Sequence, residues 1–252
     1  MKLRDYQLEA IRKMKTGCIL NGGVGSGKSL TSLSYYYMQN GGSEIFLTGG
    51  KHKKMKEPKD LYIITTARKR DTMEWEGELS HFLLSTNPDT SAYKNKVIVD
   101  SWNNVKKYKE VKGAFFIFDE QRVVGSGEWV KSFLKIAKSN EWILLSATPG
   151  DTWSDYIPVF IANGFYKNKT EFLREHAVFA RYSKFPKIEK WMGSGKLNRY
   201  RRMILVDMKF QRKTEQHHED VYVDYDIATY KDVMKSRWDI YKQEPIVNAG
   251  GL

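Results

Sequence analysis

The stretch Gly22-Gly-Val-Gly-Ser-Gly-Lys28-Ser29 fits G-x-x-x-x-G-K-[ST], a spacing suited to holding phosphate. Glycines let the backbone curl until successive N–H groups point inward at phosphate oxygens. The positive end of a following helix adds to that attraction. The pattern implies a nucleoside triphosphate ligand bounded by Gly22, Gly23, Val24, Gly25, Ser26, Gly27, Lys28, Ser29 and Leu30. Lys28 would reach the β- and γ-phosphates, and the Ser29 hydroxyl would ligate Mg²⁺.

Two further groups of residues carry the complementary chemistry. Ala114-Phe-Phe-Ile-Phe-Asp119-Glu120 is an apolar run that ends abruptly in two acids, as a buried strand delivering carboxylates at its carboxyl end would. Asp119 is placed to hold Mg²⁺ through water, and Glu120 to polarise an attacking water. Glu141-Trp-Ile-Leu-Leu145 ends at Ser146-Ala147-Thr148. Small hydroxyl residues there can bond both the Asp119-Glu120 turn and a neighbouring domain. Upstream, Gln7 has an amide able to accept from adenine N6–H and donate to N7. The plainer reading of Gln7 alone is an exposed helix glutamine.

These residues need elements to position them. Gly17-Cys-Ile-Leu20 is a short apolar run entering the glycines, and Leu30 to Met38 reads as a helix without a breaker. Leu3 to Gln7 starts an amphipathic helix with Leu8, Ile11 and Met14 on one face. Strands are expected at Leu61–Thr66 and Asn95–Asp100, with a helix carrying Trp75 and Glu78 between them. A helix over Glu128–Ser139 turns Trp129, Phe133, Leu134, Ile136 and Ala137 toward the sheet. Strands alternating with helices argue for βαβ units and a mostly parallel sheet. Ligands of such sheets bind beyond the carboxyl ends of the strands. That rule puts Thr65, Thr66, Arg68 and Ser101 on the same edge as the glycine-rich loop.

Gln39 to Asp60 loses periodicity and reads as an inserted loop, whose lysines between Lys51 and Lys56 either track a phosphate backbone or are solvated. Beyond Gly150 the texture changes. Asp151–His176 looks helical and aromatic-rich, and Ala177–Tyr200 basic and irregular. Gly193-Ser-Gly-Lys196 repeats part of the phosphate pattern without the preceding strand or upstream glycine, so a loop is expected. Met203–Met208 and Val221–Tyr225 read as strands, followed by a helix from Ile227 to about Tyr241. His217-His218 beside Glu219 and Asp220 lacks a second ligand set and reads as a polar turn.

Composition narrows the class. The chain has 252 residues, of which 41% are hydrophobic, too many for a disordered protein. No apolar run approaches the roughly 20 residues of a membrane span. A single cysteine, Cys18, excludes an internal disulfide, and a cytoplasmic protein is the expectation. Lys and Arg number 42 against 30 Asp and Glu, a formal charge of +12 that favours polyanions, nucleic acid foremost.

In order along the chain, these blocks resemble superfamily 2 helicases and translocases, in the Snf-like branch of phage and bacterial DNA helicases. Leu3-Arg-Asp-Tyr-Gln7 resembles the Q-motif position and Gly22–Ser29 motif I. Thr65-Thr-Ala-Arg68 with Trp75 and Glu78 resembles motif Ia, and Val99-Asp-Ser-Trp102 the next DNA-contacting motif. Asp119-Glu-Gln-Arg122 matches motif II and Ser146-Ala-Thr148 motif III.

The resemblance implies an α/β, RecA-like P-loop NTPase domain over residues 1–150, with a mostly parallel central sheet flanked by helices. An α+β extension over 151–252 would lead toward a second RecA-like domain. Its Thr214-Glu215 segment before Val221–Asp224 looks like the family's link to that domain. ATP and Mg²⁺ are the implied cofactors, and DNA and the second domain the implied partners, in a bacterial or phage-infected host cytoplasm. Thr65, Thr66, Arg68 and Ser101 would contact DNA backbone, with Arg122, Ser146 and Thr148 coupling hydrolysis to motion.

Motif II here ends in Gln121-Arg122, where the family more often has Ala-His. The second domain supplies arginine fingers, so residues 1–252 alone are expected to bind ATP, hydrolyse it poorly and not unwind DNA. The competing reading is a non-motor regulator or decoy that binds nucleotide and DNA without autonomous turnover. A small-molecule kinase fits less well, since no arginine-rich lid is evident.

Overall fold

A computed structural model describes residues 1–119, 127–182, 185–210, 226–239 and 243–245. Helix α1 (Asp5–Lys13) buries Gln7, Ala10 and Ile11 and leads into strand β1 (Ile19–Asn21). The glycine-rich loop follows, then α2 (Lys28–Gln39). A short α3 (Glu44–Leu47) precedes β2 (Leu61–Thr65), which runs into α4 (Ala67–Asp71) and α5 (Glu74–Ser80). Strand β3 (Val97–Ser101) continues into a 3₁₀ helix, Trp102–Tyr108. Then come β4 (Phe115–Asp119), α6 (Glu128–Ala137) and β5 (Glu141–Ser146). Helices α7 (Trp153–Ala162) and α8 (Lys169–His176) lead to an antiparallel hairpin of β6 (Ala177–Phe179) and β7 (Ile188–Trp191). Helix α9 (Ser194–Ile204) returns the chain to β8 (Leu205–Asp207).

Among the described residues six strands form one sheet in the order β3-β2-β4-β5-β1-β8. Every adjacent pair in it is parallel. Parallel strands covered on both faces read as continuous apolar runs, and all five residues of β2 and of β4 are buried. Side chains alternate across the sheet because the strand period is two. Phe115 and Ile117 therefore join Leu33, Tyr36 and Leu79 in one core. Phe116 and Phe118 face the other way, against Phe133, Phe160 and Ile204. Cys18 lies fully buried, and burial pushes its thiol up to about 11, so it behaves as a small core hydrophobe.

The structure departs from the sequence expectations in the segments between and after the motifs. Gln39–Asp60 is packed rather than a plain loop: Phe46, Leu47 and Met55 are buried, and the Tyr37 hydroxyl donates to the Lys53 carbonyl at 2.7 Å. Among the described residues of 177–200, Ala177–Phe179 and Ile188–Trp191 form the β6–β7 hairpin and the residues from Ser194 onward belong to α9. Gly193 caps α9 at φ +65°, so Gly193-Ser-Gly-Lys196 begins a helix. A backbone that turns left-handed at a glycine can start a helix straight from a strand exit, which a strand–loop reading misses. Met203 and Ile204 finish α9, and only Leu205–Asp207 is strand. Trp129 is exposed, while Val130 takes the inward position.

The composition shift after Gly150 coincides with no break in packing, since α7 and α9 cover the sheet and β8 pairs with β1. Compact units are Met1–Gln211 and Arg212–Leu252. Within the second, α10 (Ile227–Ser236) is capped by Asp226 and followed by the antiparallel pair β9 (Trp238–Asp239) and β10 (Glu244–Pro245). Glu120 to Arg122, Thr214-Glu215, His217-His218 and Val221–Tyr225 lie outside the described residues. Among the described residues no helix is long and apolar enough to cross a membrane.

Candidate functional site

Because the sheet is parallel, its carboxyl ends line up on one edge. Register pairs Thr65 with Ser101, Asp119 with Leu145, and Asn21 with both Ser146 and Asp207. The Gly22 N–H donates to the Ser146 carbonyl at 3.0 Å, which ties the start of the glycine loop to the end of β5. A cleft of about 540 Å³ opens there, lined among others by Lys28, Ser29, Lys69, Asp119, Ser146 and Thr148. The glycine loop, the first carboxylate and the Ser-Ala-Thr turn thus share one cavity.

Local geometry explains the loop. Gly25 and Gly27 sit at φ +80° and +78°, where an L side chain is strained. A Cβ at Gly27 would also stand 2.6 Å from the Gln7 amide nitrogen, and one at Gly22 would stand 2.6 Å from the Ser26 hydroxyl. No side chain caps the start of α2, so its first N–H groups are aimed as an anion site. The Lys28 ammonium folds back onto the loop, donating to the carbonyls of Gly22 at 2.6 Å and Gly23 at 3.1 Å. Val24 stands exposed at the loop's tip, and the buried Ser26 hydroxyl has no hydrogen-bond partner among the described residues.

Helix α1 supports this loop from behind. Tyr6 donates its hydroxyl to the Ser26 carbonyl at 3.0 Å. Gln7 is buried, not an exposed helix residue. Its carbonyl oxygen accepts from the Arg4 N–H at 2.9 Å, and its amide donates to the Thr31 hydroxyl at 3.2 Å. Both ends of the Gln7 amide are therefore engaged within the protein.

Around Asp119 the structure assembles partners that motif reading does not supply. Its buried carboxylate oxygen Oδ2 accepts from the Thr65 hydroxyl at 2.8 Å and from the Lys69 ammonium at 3.0 Å. Its backbone carbonyl accepts from Trp102 Nε1 at 3.0 Å. Lys69 lies in the first turn of α4, where the Thr66 hydroxyl accepts from its backbone N–H at 3.3 Å. The sequence signal for Lys69 was present in Ala67-Arg-Lys-Arg70, but only strand order shows which of those cations faces Asp119.

The remaining expected site residues divide by exposure. Thr65 and Ser101 are buried, so neither presents its hydroxyl on the surface of this edge. Thr66 is half-exposed and Arg68 exposed. Ser101 sits instead beside an ion-pair network in which Arg70 reaches Asp100 at 3.2 Å and the Ser101 hydroxyl at 3.3 Å. Burial pushes the Asp100 carboxyl up, but hydrogen bonds from Asn104, Tyr108, the Ser101 N–H and Arg70 outweigh it and hold the group below its ordinary value. The Ser146 hydroxyl is used inside its own turn, accepting from the Thr148 N–H at 3.1 Å. Thr148 itself is exposed on the cleft.

Comparison with known proteins bears on the architecture. No protein-family model matches the sequence, and no curated protein matches it. Solved structures do. The Sulfolobus solfataricus SWI2/SNF2 ATPase core in complex with double-stranded DNA superposes with a TM-score of 0.56 at 18% identity, over 81% of this chain and 44% of that one. The likeness is one of fold, an α/β domain with a parallel central sheet flanked by helices. A second structure of the S. solfataricus SWI2/SNF2 ATPase core domain gives a TM-score of 0.51 at 15% identity, over 81% of this chain and 43% of the other. The chain spans less than half the length of these neighbours. Among the described residues no cluster of three or more His, Cys, Asp and Glu could hold a metal ion by itself.

Proposed function

We propose that this chain is the ATP-binding motor domain of a DNA helicase or translocase, which couples Mg-ATP binding and hydrolysis to movement on DNA when joined to a second RecA-like domain. The observation that carries this reading is the single cleft lined by Lys28, Ser29, Asp119, Ser146 and Thr148 at the carboxyl edge of a parallel sheet.

The residues present fit the ligand. Left-handed glycines, an uncapped helix start and a buried Ser26 hydroxyl without a partner among the described residues form a cradle that phosphate oxygens would complete. Lys28, now donating to loop carbonyls, would turn to the β- and γ-phosphates. Ser29 and Asp119 would hold Mg²⁺, which neutralises charge on the phosphates when bound. Glu120 follows Asp119 in sequence and takes the water-activating role. Gln7 buttresses the loop, so any part it plays in selecting adenine requires its present hydrogen bonds to open.

For nucleic acid, Thr66 and Arg68 are the accessible groups of the expected set, in line with binding through phosphates that depends on salt and little on sequence. The net charge of +12 supports a polyanionic partner. The second domain would bring an arginine to the transition state, a contribution of about 10³–10⁵ in rate in related nucleotide hydrolases.

The test is ATP turnover by this chain with and without DNA, repeated after adding a separately expressed second RecA-like domain. Restored, DNA-stimulated hydrolysis supports the motor. ATP binding that no second domain converts to turnover replaces it with the regulator reading.

A further inference from the structure

The Asp119 side chain is 3% exposed and that of Lys69 26%, and they meet at 3.0 Å across the floor of the cleft. A carboxylate buried to that degree is not left bare of positive charge or hydrogen bonds. Thr65 supplies a neutral donor to Oδ2, and Lys69 supplies the charge to the same oxygen. A divalent cation drawn to this carboxylate would meet a cation already seated on it, and two like charges sharing one carboxylate repel strongly where water is scarce.

We propose that Lys69 is the resident counter-cation of Asp119, so that a divalent metal gains the carboxylate only by displacing the Lys69 ammonium. This rests on the reading of Asp119 as a metal ligand and makes Lys69 a positioning residue for that site. The geometry allows the exchange. The Thr66 hydroxyl fixes the Lys69 backbone N–H, while the four-carbon stem beyond it can swing without moving α4. Lys69 and Ser29 line the same cavity, so the displaced ammonium stays beside the space where phosphate is expected. The metal-free site is thereby kept neutralised, and metal affinity is set below what Asp119 alone would give.

The experiment titrates metal-free protein with Mn²⁺, read by loss of the free aqueous Mn²⁺ resonance, with and without ADP. Lys69→Met should bind Mn²⁺ at least about 5-fold more tightly than the parent, the lower end of coupling between interacting sites. Lys69→Gln carries the same expectation should the Met variant fold poorly, and Lys69→Arg, which keeps the charge, should bind like the parent. Equal or weaker Mn²⁺ binding by the Met and Gln variants overturns the proposal. Asp119→Asn separates the two levels. If it loses Mn²⁺ while the Lys69 variants bind like the parent, only the counter-cation role falls. If it keeps parental affinity, Asp119 is not the ligand and both readings fall.

Discussion

Thr65 donates its hydroxyl to the Asp119 carboxylate at 2.8 Å, between two buried side chains on adjacent strands. Replacing Thr65 with valine keeps the shape and removes the donor to a charged group. The expected cost is about 1.5–3 kcal/mol of folding stability, measured by urea unfolding. Salt-dependent DNA affinity should not change, because the hydroxyl is not on the surface. A large loss of DNA binding by folded Thr65→Val would return Thr65 to the phosphate-contact set.

Nucleotide binding should depend on Lys28. Lys28→Ala is expected to abolish ATP binding measured by calorimetry, and unchanged affinity would sink the site assignment. Glu120→Gln should retain binding and lose turnover once a second domain is present. Equal turnover in that variant removes Glu120 as the base.

Arg68 is exposed on the edge where nucleic acid is expected, while Ser101 is buried. Arg68→Ala should weaken DNA binding uniformly across sequences and lower the salt slope by about 1. Ser101→Ala should leave that slope alone. The reverse pattern in a fluorescence-anisotropy salt series would mean that the DNA path enters the sheet edge rather than running over α4.

Gly27 and Gln7 should couple. Gly27→Ala forces a side chain into φ +78° and toward the Gln7 amide, with a backbone cost of about 1–2 kcal/mol and a loss of ATP affinity. Gln7→Ala alone should loosen the loop. The double variant should cost less than the sum of the singles, since removing Gln7 removes the clash. Strict additivity of ATP affinities would show that the two do not act as a unit.

The Asp100 network should make part of the stability pH-dependent. A carboxyl whose folded value lies below the ordinary 3.8 stabilises the fold above that pH, and the contribution fades as pH falls through the lowered folded value. Asp100→Asn should therefore be less stable than the parent near neutrality, with the gap closing below about pH 4. A gap that stays constant during acid titration of unfolding free energy would assign the loss to packing alone.

Much of the site was legible in sequence because its signals are local. The glycine spacing, the apolar run into Asp119 and the run into Ser146-Ala-Thr148 each occupy a few consecutive residues, and a parallel sheet brings strand ends together as a rule. Gly193-Ser-Gly-Lys196 was misleading for the same reason. A short pattern does not say whether a left-handed glycine closes a turn or opens a helix, and here it opens α9.

By itself the sequence determined the parallel α/β class, the glycine-rich turn between an apolar run and a helix, and the strand that carries Asp119. All of these rest on period, spacing and residue type within single segments. Tertiary structure alone decided that β2 lies beside β4, that Thr65 and Lys69 therefore converge on Asp119 from 54 and 50 residues away, that Gln7 is buried behind Gly27, and that β8 completes the sheet. Strand order and the partners of a buried carboxylate depend on which distant segments pack together, and no local pattern of residues encodes that choice.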